Sequence, residues 1–548
     1  MSLQAGQGGD RSTTRRVAGA AAVLVLCAPF VYGAIGAFPI WDDAWLWLLL
    51  REQGVDAVMP SHPDRPVNAA LWEWLAARGA LFPVGFVAQA IFWPLLGGIT
   101  ALLWTKLFPL RRRFAALAAC LAVAPFATQI HMVTVTVALA SLLPVLLAYA
   151  AVLLAWRYVA RGSWTALLAA LPVLTVGVLV QEYALVAGFV GLVLMSSQLL
   201  GTPEIRRRAL VAIPVLAVAN IAAYVLYLAV GEPESRPEAQ PQYALRMRDQ
   251  VADLASRLAI AVWRGLGGGL ADATRDLFAG LGQMPVGVLL GALLSGVIVG
   301  AFLLYSLGRA STRRDEHGPR GLWSRDVALL VGLAIGILPI LLMDRIPWDP
   351  ADGMSSRFGL PVVPVIAVIL TRCVGLLERF RLAAVAVALL ALVAGGTAVT
   401  DAHRAVEERE LMTELGEVIR PHVARHERMM VVVVPQPSRG MGPSRPWELV
   451  ARLSADWPQR LGNRLWAHPY GDPMPERYNH DARRKFGPRD NCRFPGRLRR
   501  HVRLLQRRGC VHTLAWLGTE ADGSIDFEPY CREEPPRDRA LLSRCGRG

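Results

Sequence analysis

The sequence predicts a polytopic α-helical membrane protein of about 11 transmembrane helices with a small C-terminal extracytoplasmic α/β domain. Three observations predict it. Of the 548 residues, 54% are hydrophobic and only 18% charged, with a mean hydropathy of +0.37, more apolar than a water-soluble chain of this length. Many apolar stretches approach the ~20 residues that a helix needs to cross a bilayer. The Arg/Lys clusters fall between those stretches in a regular alternation.

The spans are expected near 17–38, 83–105, 114–128, 133–156, 164–180, 183–200, 209–230, 286–308, 326–343, 358–376 and 382–400. Residues 114–156 and 164–200 are apolar blocks interrupted by Thr128-Gln129-Ile130-His131 and by Gln181-Glu182. Each block is too long for one helix, and charge decides that each is a pair. Clusters stand at Arg11/Arg15/Arg16, Lys106/Arg111/Arg112/Arg113, Arg157/Arg161, Arg206–Arg208, 309–325 and Arg372/Arg379/Arg381. With both blocks split, every cluster falls on one side, which the positive-inside rule makes the cytoplasm. Residues 1–16 are then a cytoplasmic tail, 17–400 a transmembrane domain, and the C-terminus lies outside. A cleavable signal peptide over the first span is the competing reading, because Arg15-Arg16 precede its apolar core and small residues follow.

The outward segments are 39–82, 231–285, a short loop 344–357 and the tail 401–548. In 246–264, Val251, Leu254, Leu258 and Val262 recur at helical spacing. This fits a helix lying along the membrane interface or one packed against the bundle.

The tail 401–548 reads as a separate periplasmic soluble domain. Residues 401–426 suit a helix leaving the membrane, 428–437 (RMMVVVVPQP) a buried strand ended by prolines, and 495–508 a basic helix. From residue 425 onward 24 Arg/Lys face 14 Asp/Glu, a balance that attracts anionic headgroups or anionic glycans. Nucleic acid is not expected outside the membrane. Cys27, Cys120 and Cys373 lie in or beside spans, whereas Cys492, Cys510, Cys531 and Cys545 are all in the tail. Four cysteines in a translocated domain suggest two disulfides. Zinc binding is the alternative, although no Cys-x-x-Cys pair is present. The pairing stays open.

The first outer loop, WDDAWLWLLLREQGVDAVMPSHPDRPVNAALWEWLAARG (41–79), opens on Asp42 and Asp43 and is rich in Trp. Tryptophans favour the headgroup level, which holds these acids near the depth of a lipid phosphate. On a helix the two would point about 100° apart, so one serves as base or ligand while the other orients; both capping the following helix is the simpler reading. The loop also presents His62, Asp64 and Arg65. Arg65 is a phosphate partner or the mate of Asp64. His131 and Glu182 stand on short outer turns as substrate-binding candidates; an acid at membrane depth is usually functional.

Three segments carry a family resemblance: WDDAW (41–45), SHPDRPVNAALW (61–72) and DGMSSRFGLPVVPVIAVIL (352–370). The first resembles the acidic first-loop motif of the GT-C superfamily, integral membrane glycosyltransferases that use polyprenyl-phosphate-linked sugars. The second resembles the Asp-Arg-Pro segment of its O-antigen glucosyltransferase-like branch. The third resembles the Arg-(Tyr/Phe)-x-x-Pro start of a late span. The layout over residues 10–400 is also similar to that of the aminoarabinose and protein O-mannosyltransferases. The chain departs from the oligosaccharyltransferase branch in lacking Trp-Trp-Asp-(Tyr/Trp)-Gly in its tail, and from the mannosyltransferases in lacking Asp-Glu-x-His-(Phe/Tyr).

The resemblance implies transfer of a hexose or pentose from a polyprenyl-phosphate donor to an envelope glycan, lipid (lipopolysaccharide among them) or protein, in the bacterial inner membrane. Asp42 or Asp43 would be the catalytic base, and Arg65 and Arg357 would hold the donor phosphate. Some members use a divalent cation (Mg or Mn) and others none, so the resemblance leaves the metal open. A transporter or flippase is the alternative, as is another polysaccharide-assembly membrane protein. The chain shows no fixed-period repeat and its span interiors carry almost no charge, which disfavours a transporter.

Overall fold

The computed structural model of the chain describes residues 7–34, 46–47, 49–50, 54–61, 65–108, 112–124, 138–231, 253–280, 284–308, 319–342, 353–378, 382–425, 429–435, 465–470, 511–519 and 525–530. The chain divides into two compact units, Met1–Gly36 with Val55–Ala405, and Ala37–Gly54 with Val406–Gly548.

The first unit is a helical bundle, and the chain is a multi-pass helical membrane protein. Among the described residues eight helices are long and apolar enough to cross a bilayer: Thr13–Gly33, Leu81–Lys106, Leu139–Arg161, Tyr183–Leu200, Pro203–Val230, Val286–Leu307, Phe358–Leu377 and Ala383–His403. Two shorter apolar helices, Trp164–Val180 and Asp326–Leu341, accompany them. Around the expected span 114–128 the described helix is Ala115–Val123, and the residues after Ala124 lie outside the description.

In chain order the α-helices are α1 (Gln7–Ala34), α2 (Pro66–Ala76), α3 (Leu81–Lys106), α4 (Ala115–Val123), α5 (Leu143–Arg161), α6 (Trp164–Val180) and α7 (Tyr183–Ser196). They continue as α8 (Pro203–Val230), α9 (Leu254–Trp263), α10 (Gly269–Gly280), α11 (Val286–Leu307), α12 (Pro319–Leu342), α13 (Val363–Leu377) and α14 (Ala383–Arg425). A one-turn helix, Val58–Ser61, precedes α2, and a 3-10 stretch, Gly353–Val362, leads into α13. Prolines start several of these helices: Pro66, Pro144, Pro203 and Pro364 occupy the first turn, where the missing N–H has no intrahelical partner anyway. Thr202 caps α8, its hydroxyl accepting from the Ile205 N–H at 3.5 Å.

Tight links make α5 to α8 an antiparallel series. Gly162 ends α5 with φ +73°, a left-handed conformation that glycine adopts without penalty. A Cβ there would also sit 3.0 Å from the Arg208 guanidinium. Gln181 breaks α6 from α7 with extended backbone, φ −165° and ψ 149°.

The basic chain segments meet at one end of this bundle. The Arg15 guanidinium lies against Gly308 at the end of α11. Gln198, beyond α7, donates to the Leu107 carbonyl beyond α3 at 3.4 Å. Arg113 pairs with Glu378, and Lys106 lies 5.2 Å over the Trp156 ring. Nearby, Arg372 holds Asp326 through two bonds of 2.9 and 3.1 Å, a planar fork on a carboxylate. The charge clusters that split the two apolar blocks thus fall together in space.

The core follows from composition. α4 is apolar all round, and Leu117 through Val123 are all buried against α1, α3 and α13. α8 and α11 instead expose wide apolar faces, with Val218, Ile221 and Val225 on one and Leu290, Leu293 and Leu294 on the other, as lipid contact requires. The expected amphipathic helix of 246–264 is described from Leu254: α9 packs on α12, burying Ala261 and exposing Ile260 and Trp263. The reading as a helix packed against the bundle therefore holds for its described part.

In the second unit, β1 (Met429–Pro435), β2 (Leu465–Tyr470), β3 (Val511–Thr519) and β4 (Ile525–Tyr530) form one sheet in the order β2-β1-β3-β4. The β-branched run 428–437 supplies one of its two inner strands, β1, parallel to both neighbours, with Val432 opposite Ala467 and Leu514. β4 pairs antiparallel to β3, with an irregularity between Trp516 and Thr519. Leu46 and Leu49, just past the acid pair, are helical and buried.

Candidate functional site

A polar cluster forms at the end of the bundle opposite the arginine-rich one. It begins with Glu182, the residue at which the chain turns from α6 into α7. Leu185 and Val186 donate to its carbonyl at 3.1 and 3.4 Å, and its carboxylate sits at the positive end of the α7 dipole. Arg65, the residue before α2, brings its guanidinium 3.5 Å from Glu182 Oε1. The two side chains are 31% and 25% exposed, so water screens the pair only partly, and each charge needs the other. Tyr227, near the end of α8 and buried, donates its hydroxyl to Glu182 Oε2 at 3.1 Å. One carboxylate thus joins three separate elements.

Close packing fixes Tyr227 there. Two turns earlier on the same face of α8, Asn220 donates to the Leu185 carbonyl of α7 at 3.0 Å. The helices come this close because residue 188 is glycine: a Cβ there would stand 2.8 Å from the Asn220 Nδ2. Tyr224 stacks on Tyr227 with ring centroids 6.1 Å apart.

The late Arg-Phe segment reaches the same corner. Tyr183, next to Glu182, meets Phe358, next to Arg357, edge to face at 6.2 Å and 86°, a favoured arrangement for aromatic pairs. The hydroxyl of Tyr149, fully buried in α5, donates to the Pro361 carbonyl and holds the 3-10 stretch onto the bundle. Arg65, Glu182 and the backbone of Arg357, far apart in sequence, are therefore assembled at one place.

Two buried amides complete it. Asn68, one turn beyond Arg65 on α2, is 1% exposed, and neither its Nδ2 nor its Oδ1 has a hydrogen-bond partner in the protein. Gln181, beside Glu182, is 3% exposed, and its Oε1 is likewise unpartnered. Gln89 accepts from Trp93 Nε1 at 2.9 Å, whereas Asn220 donates to Leu185 and leaves its Oδ1 unpartnered. An unsatisfied buried polar group costs roughly 1–3 kcal/mol, and α2 packs against α6, which Gln181 terminates.

Of the residues expected from sequence, Asp42, Asp43, His62, Asp64, His131, Cys492, Cys510, Cys531 and Cys545 lie outside the described residues, as does the Arg357 side chain. Arg65 is engaged by Glu182, a partner that sequence reading did not assign. Tyr227 and Asn68 were missed altogether. A tyrosine near the end of an apolar helix and a single asparagine in PVNAALW were the available signals. Cys27, Cys120 and Cys373 are free thiols.

Among the described residues no group of three or more His, Cys, Asp or Glu converges in a way that would hold a metal. Glu182, the acid of this corner, is already held by a guanidinium and a phenol. A scan against protein-family models and a search of curated proteins both found no match for this chain.

Proposed function

We propose that this protein is a GT-C-type glycosyltransferase that moves one sugar from a polyprenyl-phosphate carrier to an acceptor outside the cytoplasm. The observation that supports the reading most is the corner itself. Arg65, Glu182 and the Arg357–Phe358 segment gather at the end of the bundle remote from the arginine clusters. With those clusters cytoplasmic, this end faces outward. In the same reading the bundle has eleven spans, the N-terminus is inside the bacterial inner membrane, and 401–548 is a periplasmic α/β domain with two disulfides among Cys492, Cys510, Cys531 and Cys545.

The chemistry needs a base and cations. Asp42 or Asp43 takes the proton of the acceptor hydroxyl as its oxygen forms a bond to the anomeric carbon. The bond from that carbon to the donor phosphate oxygen breaks, its electron pair stays on the phosphate, and the polyprenyl phosphate leaves as an anion. Arg357 holds that phosphate in bidentate fashion. Arg65, sharing its charge with Glu182, is the second and weaker cation. His62, Asp64 and His131 are auxiliary substrate contacts, and membrane lipid and an anionic envelope glycan or lipid acceptor are the partners.

Cells carrying Asp42→Asn or Asp43→Asn at matched expression test this against a deletion strain. The expected result is loss of the glycan modification that deletion also removes. If deletion alters the surface glycan and both variants restore it, neither aspartate is the base and the transferase assignment fails.

A further inference from the structure

Among the described residues Asn68 and Gln181 are buried amides with unpartnered polar atoms that stand close in sequence to the members of the Arg65–Glu182 pair, and Asn220 Oδ1 on α8 is unpartnered as well. A buried amide without partners is stable only where something else supplies them. The corner offers that ligand an alternating set of groups: amide donor and acceptor at Asn68, acceptor at Gln181 Oε1, and carboxylate and guanidinium on the wall. Arg65 and Glu182 offset one another's charge, so this pair by itself attracts an anion only weakly. A neutral polyol, whose hydroxyls each donate and accept, matches this donor–acceptor mix.

We propose that Asn68 and Gln181, backed by the Arg65–Glu182–Tyr227 chain, form a subsite for the vicinal hydroxyls of a neutral sugar ring. This deepens the transferase reading and rests on it. Tyr227 and Arg65 fix the Glu182 carboxylate from two sides, so the wall is set before the ligand arrives. In the transferase reading the phosphate of a lipid-linked sugar is held by Arg357 and, more weakly, by Arg65, and the sugar ring reaches from there to the two amides. The same hydroxyl chemistry is presented by a donor sugar on its carrier and by the acceptor glycan.

The test uses the purified full-length protein in nanodiscs, as wild type, Asn68→Leu and Gln181→Met. Tryptophan fluorescence titrations compare three probes: undecaprenyl phosphate, undecaprenyl-phosphate-linked glucose, mannose or arabinose, and deacylated glycan from the producing cell's envelope. Both variants are expected to keep or raise the ligand-free Tm, because an unsatisfied amide is replaced by an apolar group of similar shape. Each is expected to weaken one sugar-bearing probe about tenfold, the loss of roughly one hydrogen bond, and to bind bare undecaprenyl phosphate as wild type does. The probe that weakens identifies donor or acceptor as the source. Unchanged affinity for every sugar-bearing probe overturns the subsite and leaves the transferase reading standing. So does equal weakening of the bare carrier. A wild type that binds no probe at all removes both. Where Asn68→Leu does not fold, Asn68→Ser carries the same comparison.

Discussion

Arg65 and Glu182 form an ion pair at 3.5 Å that ties the segment before α2 to the turn between α6 and α7. The Tyr227 hydroxyl from α8 occupies the other carboxylate oxygen. The segment before α2 is thereby anchored to the α6–α7 turn and to α8 through one acid.

The anchor predicts energetic coupling. Arg65→Met and Glu182→Gln should each lower stability, and the double variant should lose less than the sum, with a coupling of about 0.5–3 kcal/mol. Thermal unfolding of the four proteins in one detergent measures it. Strict additivity would mean that the pair is only a surface contact.

Tyr227→Phe separates the hydroxyl from the ring. The ring keeps its stacking on Tyr224, while the bond to Glu182 is lost. A loss of about 1 kcal/mol is expected, together with reduced function in cells. A Tm equal to that of wild type would show that Glu182 does not need this donor.

At the α7–α8 crossing, Gly188→Val places methyl groups where the Asn220 amide now lies, with the Cβ itself at 2.8 Å. Overpacking of this kind costs typically 1–3 kcal/mol. Adding Asn220→Ala should recover part of the loss, measured as Tm. No recovery would place the clash elsewhere.

The gathering of arginines at one end predicts sidedness. A reporter inserted at the Gly162-Ser163 link should be active only in the cytoplasm, and one fused after residue 548 only outside it. A cytoplasmic signal from the C-terminal fusion would remove the eleven-span reading and the disulfides with it.

Much of the bundle was legible because its signal is local. A span is a run of apolar residues, and Gln181-Glu182 interrupts one, so α6 and α7 could be separated from sequence and charge alone. The strand at Val431–Val434 was readable from its β-branched run in the same way. The site was only half legible. Glu182 stands out as an acid between two apolar helices, but its partners come from α8 and from the residue before α2. Nothing local in PDRPVNAALW says that Arg65 reaches Glu182. Asn68 gives even less away, because its meaning lies in the partners it lacks when buried. Tyr227 resembles any interfacial tyrosine until the fold sets it against a carboxylate.

The most direct test of sugar transfer from a lipid carrier is the pool of that carrier. Lipid extracts from a deletion strain, complemented with wild type, Asp42→Asn or Asp43→Asn, are to be compared by mass spectrometry. The account predicts that a polyprenyl-phosphate-linked sugar accumulates in the deletion strain and in at least one aspartate variant, and returns to its basal level with wild type. A lipid-linked sugar pool that stays the same in all four strains would contradict it.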